Sequence, residues 1–179
     1  MKRFEINSSL QSIDPSETSF GYSYWSYMIP PFKPESILIL GYGEGTIAAL
    51  IKKVWGKDIR VTGVDLKKPE NQESIDELLV GHAGAVVCDY LTENKNPKKF
   101  DYVVVDISNG SEHPEWIFSK EFVKDLARIT KKLLSINVLG KARDMSFYDN
   151  YFDFDLEKVI LDNKIYFYKA KENKDNYFL

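Results

Sequence analysis

Apolar residues along this chain fall into short runs cut by glycine, proline and charge, not into one long stripe. Ile37-Leu38-Ile39-Leu40 is wholly apolar and stops at glycine, the pattern of a strand buried on both faces. Thr46–Val54 follows with Ala48, Ala49, Leu50 and Ile51 available to pack, which predicts a helix. Arg60–Asp65 reads as a second strand, and a polar helix is expected over about Asn71–Leu79. Ala85-Val86-Val87-Cys88-Asp89 reads as the third strand and Tyr102–Asp106 as the fourth. Glu121–Leu133 carries Phe122, Leu126, Ile129 and Leu133 at helical spacing, and Leu134–Leu139 is a fifth strand. A short helix around Ala142–Tyr151 precedes Lys158–Asp162, and a tight turn at Asn163-Lys164 leads into Ile165–Ala170.

Alternating strands and helices give an α/β fold, a three-layer doubly wound sheet that is mostly parallel. A two-residue turn joins only antiparallel strands, so the last strand is expected to run antiparallel within that sheet. This ending sets the pattern apart from the wholly parallel dehydrogenase-type sheet. Residues 1–34 lack a long periodic run and hold the aromatic stretch Phe20–Met28, closed by Pro30 and Pro31. They read as an N-terminal extension or lid ahead of one domain over 35–179, with Tyr24 and Tyr27 as candidates to contact an acceptor.

Composition narrows the partners. The 179 residues suit one compact domain, and a formal charge of −3 argues against a broad grip on nucleic acid. The single cysteine, Cys88, allows no intrachain disulfide and reads as a small buried hydrophobe within its strand. Met1–Leu10 has no signal-peptide core, and no apolar run reaches the roughly 20 residues needed to cross a bilayer. A soluble cytoplasmic protein without a membrane partner is expected, and a homodimer is compatible with the sequence. His82 and His113 stand on separate connections and read as solvated loop residues, so no metal site is expected.

The chemistry concentrates at strand ends. Gly41-Tyr42-Gly43-Glu44-Gly45 joins the first strand to a helix, where glycines permit a tight turn and a close backbone approach. Asp65 ends the second strand about twenty residues on, placed to accept two ribose hydroxyls, with Leu66 beside it. Asp89 ends the expected third strand and would accept from an adenine amino group, and Tyr90 follows it to flank the ring. Asp106 ends the fourth strand and would face the reacting centre as a catalytic base, with Ser108 and Asn109 binding the acceptor. Ser108-Asn109-Gly110 is equally strong turn chemistry.

These positions together resemble the class I S-adenosylmethionine-dependent methyltransferases, and within them most closely the spermidine synthase group of aminopropyltransferases. Ile37–Thr46 resembles that group's apolar strand followed by Gly-Gly-Gly-Asp-Gly-Gly, with Glu44 at the acidic position and Ile39 where typical methyltransferases carry an acid. Asp106-Ile107-Ser108-Asn109 is similar to its Asp-x-Ser/Thr-Asp segment, and Trp116–Phe122 to its Leu-Phe-x-x-Glu-Phe run. The resemblance implies S-adenosylmethionine, or its decarboxylated form, as cofactor. Glu44 would contact its amino end, Asp65 the ribose, Asp89 the adenine, and Asp106 would deprotonate a small-molecule acceptor. Methyl transfer, aminopropyl transfer and a non-catalytic cofactor- or partner-binding role all stay open. The chain departs from the synthases at Asn109, which stands in place of an acid that binds the polyamine, and in an N-terminal segment too short for their β-hairpin domain.

Overall fold

A computed structural model describes residues 3–6, 9–13, 23–70, 72–94, 96–110, 112–140 and 143–171. Phe20–Tyr22 of the aromatic stretch, and Ala142, where the short helix was expected to begin, lie outside them. The described chain opens with a two-stranded antiparallel hairpin, β1 (Arg3–Ile6) and β2 (Ser9–Ile13). Helix α1 (Tyr24–Tyr27) follows.

The main sheet has seven strands. β3 (Ser36–Leu40), β4 (Arg60–Asp65), β5 (Glu77–Val80), β6 (Phe100–Val105) and β7 (Thr130–Leu139) are parallel to their neighbours. β8 (Phe152–Ile160) and β9 (Asn163–Ala170) form the closing hairpin. The order is β5-β4-β3-β6-β7-β9-β8, so β9 inserts antiparallel between β7 and β8, as the tight turn required.

Helices α2 (Thr46–Trp55), α3 (Ala83–Glu93), α4 (Lys120–Ile129) and α5 (Ser146–Tyr151) cover the sheet. The two faces are separated by the strand period. Leu38, Leu40, Val103, Val105, Leu134 and Ile136 pack under α3, α4 and α5. Ile37, Ile39, Tyr102 and Val104 pack under α1 and α2. α4 shows the local logic: Phe122, Val123, Leu126 and Ile129 are buried on one stripe, and Ser119 Oγ accepts from the Phe122 amide at its amino end. Each such buried side chain contributes roughly 1.5–3 kcal/mol of transfer free energy.

Two stretches differ from expectation; in one, Thr130–Leu133, expected as the end of the helix that begins at Glu121, already run in β7, so Leu133 is a strand residue. In the other, a loop over 72–76 leads into β5 where the polar helix Asn71–Leu79 was expected (Asn71 itself lies outside the described residues), and the strand expected over Ala85–Asp89 is the body of α3. The helix wins because Ala83, Val87 and Leu91 fall four apart and are all buried on the sheet, while Cys88 and Asp89 are exposed. Cys88 is therefore a surface thiol and not a buried hydrophobe.

The N-terminal segment is fastened to this framework. Trp25 and Met28 are buried, Tyr102 Oη donates to the Met28 carbonyl at 2.5 Å, and Trp55 Nε1 donates to the Pro30 carbonyl at 3.2 Å. Among the described residues no helix is long and apolar enough to cross a membrane.

Candidate functional site

Three parallel strands end side by side, and the backbone stitches their tips together. The amides of Gly41 and Tyr42 both donate to the Val64 carbonyl at 2.9 and 3.0 Å, joining the glycine turn after β3 to β4. The Asp106 amide donates to the Leu40 carbonyl at 2.8 Å, joining the tip of β6 to the same turn. Gly41 has φ +85°, and a Cβ there would sit 2.2 Å from the Asp106 carbonyl oxygen, so only glycine fits. The loop then enters α2.

Asp65 points into this loop. Its Oδ2 accepts from the Gly43 amide at 2.8 Å and its Oδ1 from the Lys67 amide at 3.1 Å. The expected juxtaposition of Asp65 and the glycine turn is present. Glu44 Oε2 accepts from the Glu70 amide at 2.8 Å, tying the loop to the connection after β4. Tyr42 is buried beneath the loop; its ring occupies the space that a side chain at Gly63 would fill, where a Cβ would lie 2.6 Å from it.

Asp106 is the half-buried carboxylate of the site. Tyr24 Oη donates to its Oδ2 at 3.0 Å and Asn137 Nδ2 to its Oδ1 at 2.9 Å. Burial pushes its pKa from an ordinary 3.8 to about 6, against the pull of those two hydrogen bonds toward the charged form. Burial and the neighbouring Asp106 charge hold the Tyr24 hydroxyl well above the usual phenol range, so Tyr24 stays a donor. Tyr27, one turn on, is 38% exposed, and its carbonyl accepts from Lys158 Nζ at 3.1 Å. Ser108 is half-buried, whereas Asn109 is exposed and closes a short turn through its amide to the Glu112 carbonyl at 2.8 Å. The turn chemistry of Ser108-Asn109-Gly110 is thus realised.

Two expected site residues are not brought in. Asp89 and Tyr90 lie well along α3, and Tyr90 Oη donates to the Lys98 carbonyl just ahead of β6, toward the opposite edge of the sheet. The strand end they were expected to occupy belongs to Val80, followed by Gly81 and His82. His82 is exposed with its ring 4.5 Å from that of Trp116. Val80 and Leu66 leave apolar side chains 57% and 70% exposed on adjacent strand ends, next to the glycine loop.

Two further residues were missed. Asn137 is described above; no local motif marks it, because its partner is 31 positions away. His113 is not solvated but buried. Its Nε2 accepts from the Leu139 amide at 2.7 Å, which leaves Nδ1 to donate to the Ile107 carbonyl at 2.5 Å. Burial lowers its pKa, and the neutral ring clamps the segment after β6 to the end of β7. Among the described residues no group of three or more His, Cys, Asp or Glu is placed to hold a metal ion.

This geometry can be set against known proteins. No protein-family model matches the chain, and no curated protein matches its sequence. Solved structures do match. Human methyltransferase-like protein 13 in complex with SAH superposes with a TM-score of 0.62 at 12% identity, over 79% of this chain and 74% of that one. A Burkholderia thailandensis 1,6-didemethyltoxoflavin-N1-methyltransferase gives 0.62 at 14% identity, over 84% and 78%. The chain has the class I methyltransferase fold. A spermidine synthase in complex with the transition state analogue AdoDATO gives 0.60 at 12% identity, over 85% of this chain, which spans 62% of the synthase. Both groups that the sequence resembles therefore share this fold. Within the class I methyltransferase fold, the crevice over the β4, β3 and β6 tips is where a ligand is expected.

Proposed function

We propose that this chain is an S-adenosylmethionine-dependent transferase that acts on a small molecule, with Asp106 as the proton acceptor. The observation that carries this reading is the stitched edge: the Gly41–Gly45 turn, Asp65, whose carboxylate accepts from the Gly43 amide, and Asp106, whose backbone abuts Leu40 and Gly41, meet at the tips of β3, β4 and β6. Its donor set fits an adenosyl compound. Asp65 offers acceptors for vicinal hydroxyls. Leu66 and Val80 offer exposed apolar flanks for a base, with His82 beside them at the strand end that Asp89 does not reach. Gly41, Gly43 and Gly45 leave the backbone bare, and Glu44 and Tyr42 shape the loop from its outer and inner sides. The solved structures bound to SAH and SAM support the same ligand class.

S-adenosylmethionine supplies a methyl group already activated by a sulfonium, so the protein's work is alignment, exclusion of water and proton handling. Asp106 is mostly ionised at neutral pH yet basic enough to take a proton from an acceptor, the compromise a general base needs. Tyr24 fixes Oδ2 and Asn137 fixes Oδ1, which holds the carboxylate in one orientation.

A second reading, aminopropyl transfer from the decarboxylated cofactor, is favoured by one specific feature. The buried Ile39 stands where typical methyltransferases carry an acid, and the fold likeness extends to spermidine synthase. Exposed Asn109, in place of an acid, weighs against a polyamine acceptor.

Thermal-shift and calorimetric titrations with S-adenosylmethionine, its decarboxylated form, S-adenosylhomocysteine, methylthioadenosine and NAD test both. Stabilisation by the first three, in proportion to affinity, is expected. Preference for the decarboxylated form selects the second reading, and binding of NAD alone or of none of them overturns both.

A further inference from the structure

Asn137 lies at the carboxyl end of β7 and is 2% exposed. Its Nδ2 donates to Asp106 Oδ1. That contact fixes which end of the amide faces Asp106, because the amide oxygen in its place would meet a carboxylate oxygen. The other end, Oδ1, is buried and has no hydrogen-bond partner among the described residues. A buried carbonyl without a donor is destabilising, and native structures normally give it one.

Nδ2 and Oδ1 are two ends of one planar amide, so the orphan acceptor is within a single small group's reach of the carboxylate. Asp106 receives one hydrogen bond on each oxygen and has lone pairs to spare. Neither residue has an ion-pair partner among the described residues. The pair thus presents one negative charge and one neutral carbonyl, both acceptors. A site built this way selects for the number of hydrogens a ligand can donate, because an analogue one donor short leaves a buried acceptor unmet.

We propose that Asn137 is the second half of an amine-recognition site. The acceptor nitrogen enters as a primary or secondary ammonium, giving one N–H to Asp106 and another to Asn137 Oδ1. Asn137 therefore acts on Asp106 as a positioning residue and on the acceptor as a specificity residue. This rests on the reading of Asp106 as the group that faces the acceptor.

Methyl-, dimethyl-, trimethyl- and tetramethylammonium hold the charge constant while the number of N–H groups falls from three to none. Each is titrated into the chain alone and into the chain saturated with S-adenosylhomocysteine. Binding is followed by the 13C shift of the Asp106 carboxyl and the 15N shift of the Asn137 amide. Affinity is expected to drop at least tenfold between dimethyl- and trimethylammonium. Asn137→Leu, or Asn137→Ala where the leucine variant does not fold, flattens that step to under twofold. A flat series in the parent chain, as a structural water on Oδ1 would give, or a step that survives loss of the amide, overturns the proposal. Failure of S-adenosylhomocysteine to bind sinks the transferase reading instead, and the series in the chain alone still reports on Asn137.

Discussion

The hydroxyl of Tyr24 donates to Asp106 Oδ2 across 82 positions of sequence, at 3.0 Å. A four-residue helix ahead of the sheet therefore reaches the tip of a central strand. The segment expected to be an extension or lid contributes directly to the carboxylate's environment, and its burial at Trp25 and Met28 holds it there.

Removing that donor changes the carboxylate in a known direction. The Tyr24 hydrogen bond favours the charged form of Asp106, so Tyr24→Phe raises its pKa above about 6. The acidic limb of kcat/KM moves to higher pH, with a several-fold loss at pH 6.5 that is largely recovered at pH 8.5. A pH–rate profile checks this; a uniform loss at all pH values would assign Tyr24 to packing alone.

Asp106 and His113 tilt stability in opposite directions. Between about pH 4 and 6 native Asp106 keeps a proton that the unfolded chain has released, so this group's contribution falls as pH rises through that window. Native His113 refuses a proton that the unfolded chain takes up below 6.5, so its contribution is full above that value and is lost as pH falls. Asp106→Asn is expected to stabilise the chain at pH 8 by on the order of 1–2 kcal/mol and to leave a protein that weakens steadily on acidification. Urea denaturation at several pH values reads both slopes.

Cofactor affinity separates Asp65 from Asp89. Asp65→Asn is expected to weaken S-adenosylhomocysteine binding at least tenfold, because it removes ligand acceptors and loosens the Gly43 amide. Asp89→Asn, on the exposed side of α3, leaves it within twofold. Calorimetry on the two variants decides; equal losses would place α3 in the site.

Tyr42 and Gly63 share one volume. Gly63→Ala sets a methyl 2.6 Å from the Tyr42 ring and from Ile75 Cδ1, and a cost of about 1–3 kcal/mol is expected. Tyr42→Phe removes a buried hydroxyl with no partner among the described residues, and stability is expected to hold or rise. Thermal melts of each variant and of the pair measure the coupling.

The sequence made the centre of the sheet legible because β3 and β6 carry the unbroken apolar runs Ile37–Leu40 and Tyr102–Val105, while β4 and β7, though broken by Thr62, Gly63, Ser135 and Asn137, still alternate through the buried Val61, Val64, Leu134, Ile136 and Val138. The closing hairpin was legible from its tight turn. β5 was not, because it is an edge strand with Glu77 and Val80 exposed and only Leu78 and Leu79 partly covered. Its weak pattern lost to the β-branched run Ala85–Cys88, although Ala83, Val87 and Leu91 were already at helical spacing. Asp89 was misplaced for that reason. The glycine turn, Asp65 and Asp106 were readable because each sits where a strong strand stops. Asn137 and His113 were not, since hydrogen bonds to Asp106 and Leu139 across 31 and 26 positions leave no local trace.

The insertion of β9 between β7 and β8 has a consequence for synthesis. The later strand of the closing hairpin lies inside the sheet, and its Ile165 and Phe167 are part of the core beneath α1. A nascent chain still tethered near residue 160 would carry β8 with no neighbour to dock against and β7 with one open edge. Translation must therefore deliver the whole hairpin before the sheet can seal, and until β9 emerges the partly made sheet exposes an unpaired edge along β7.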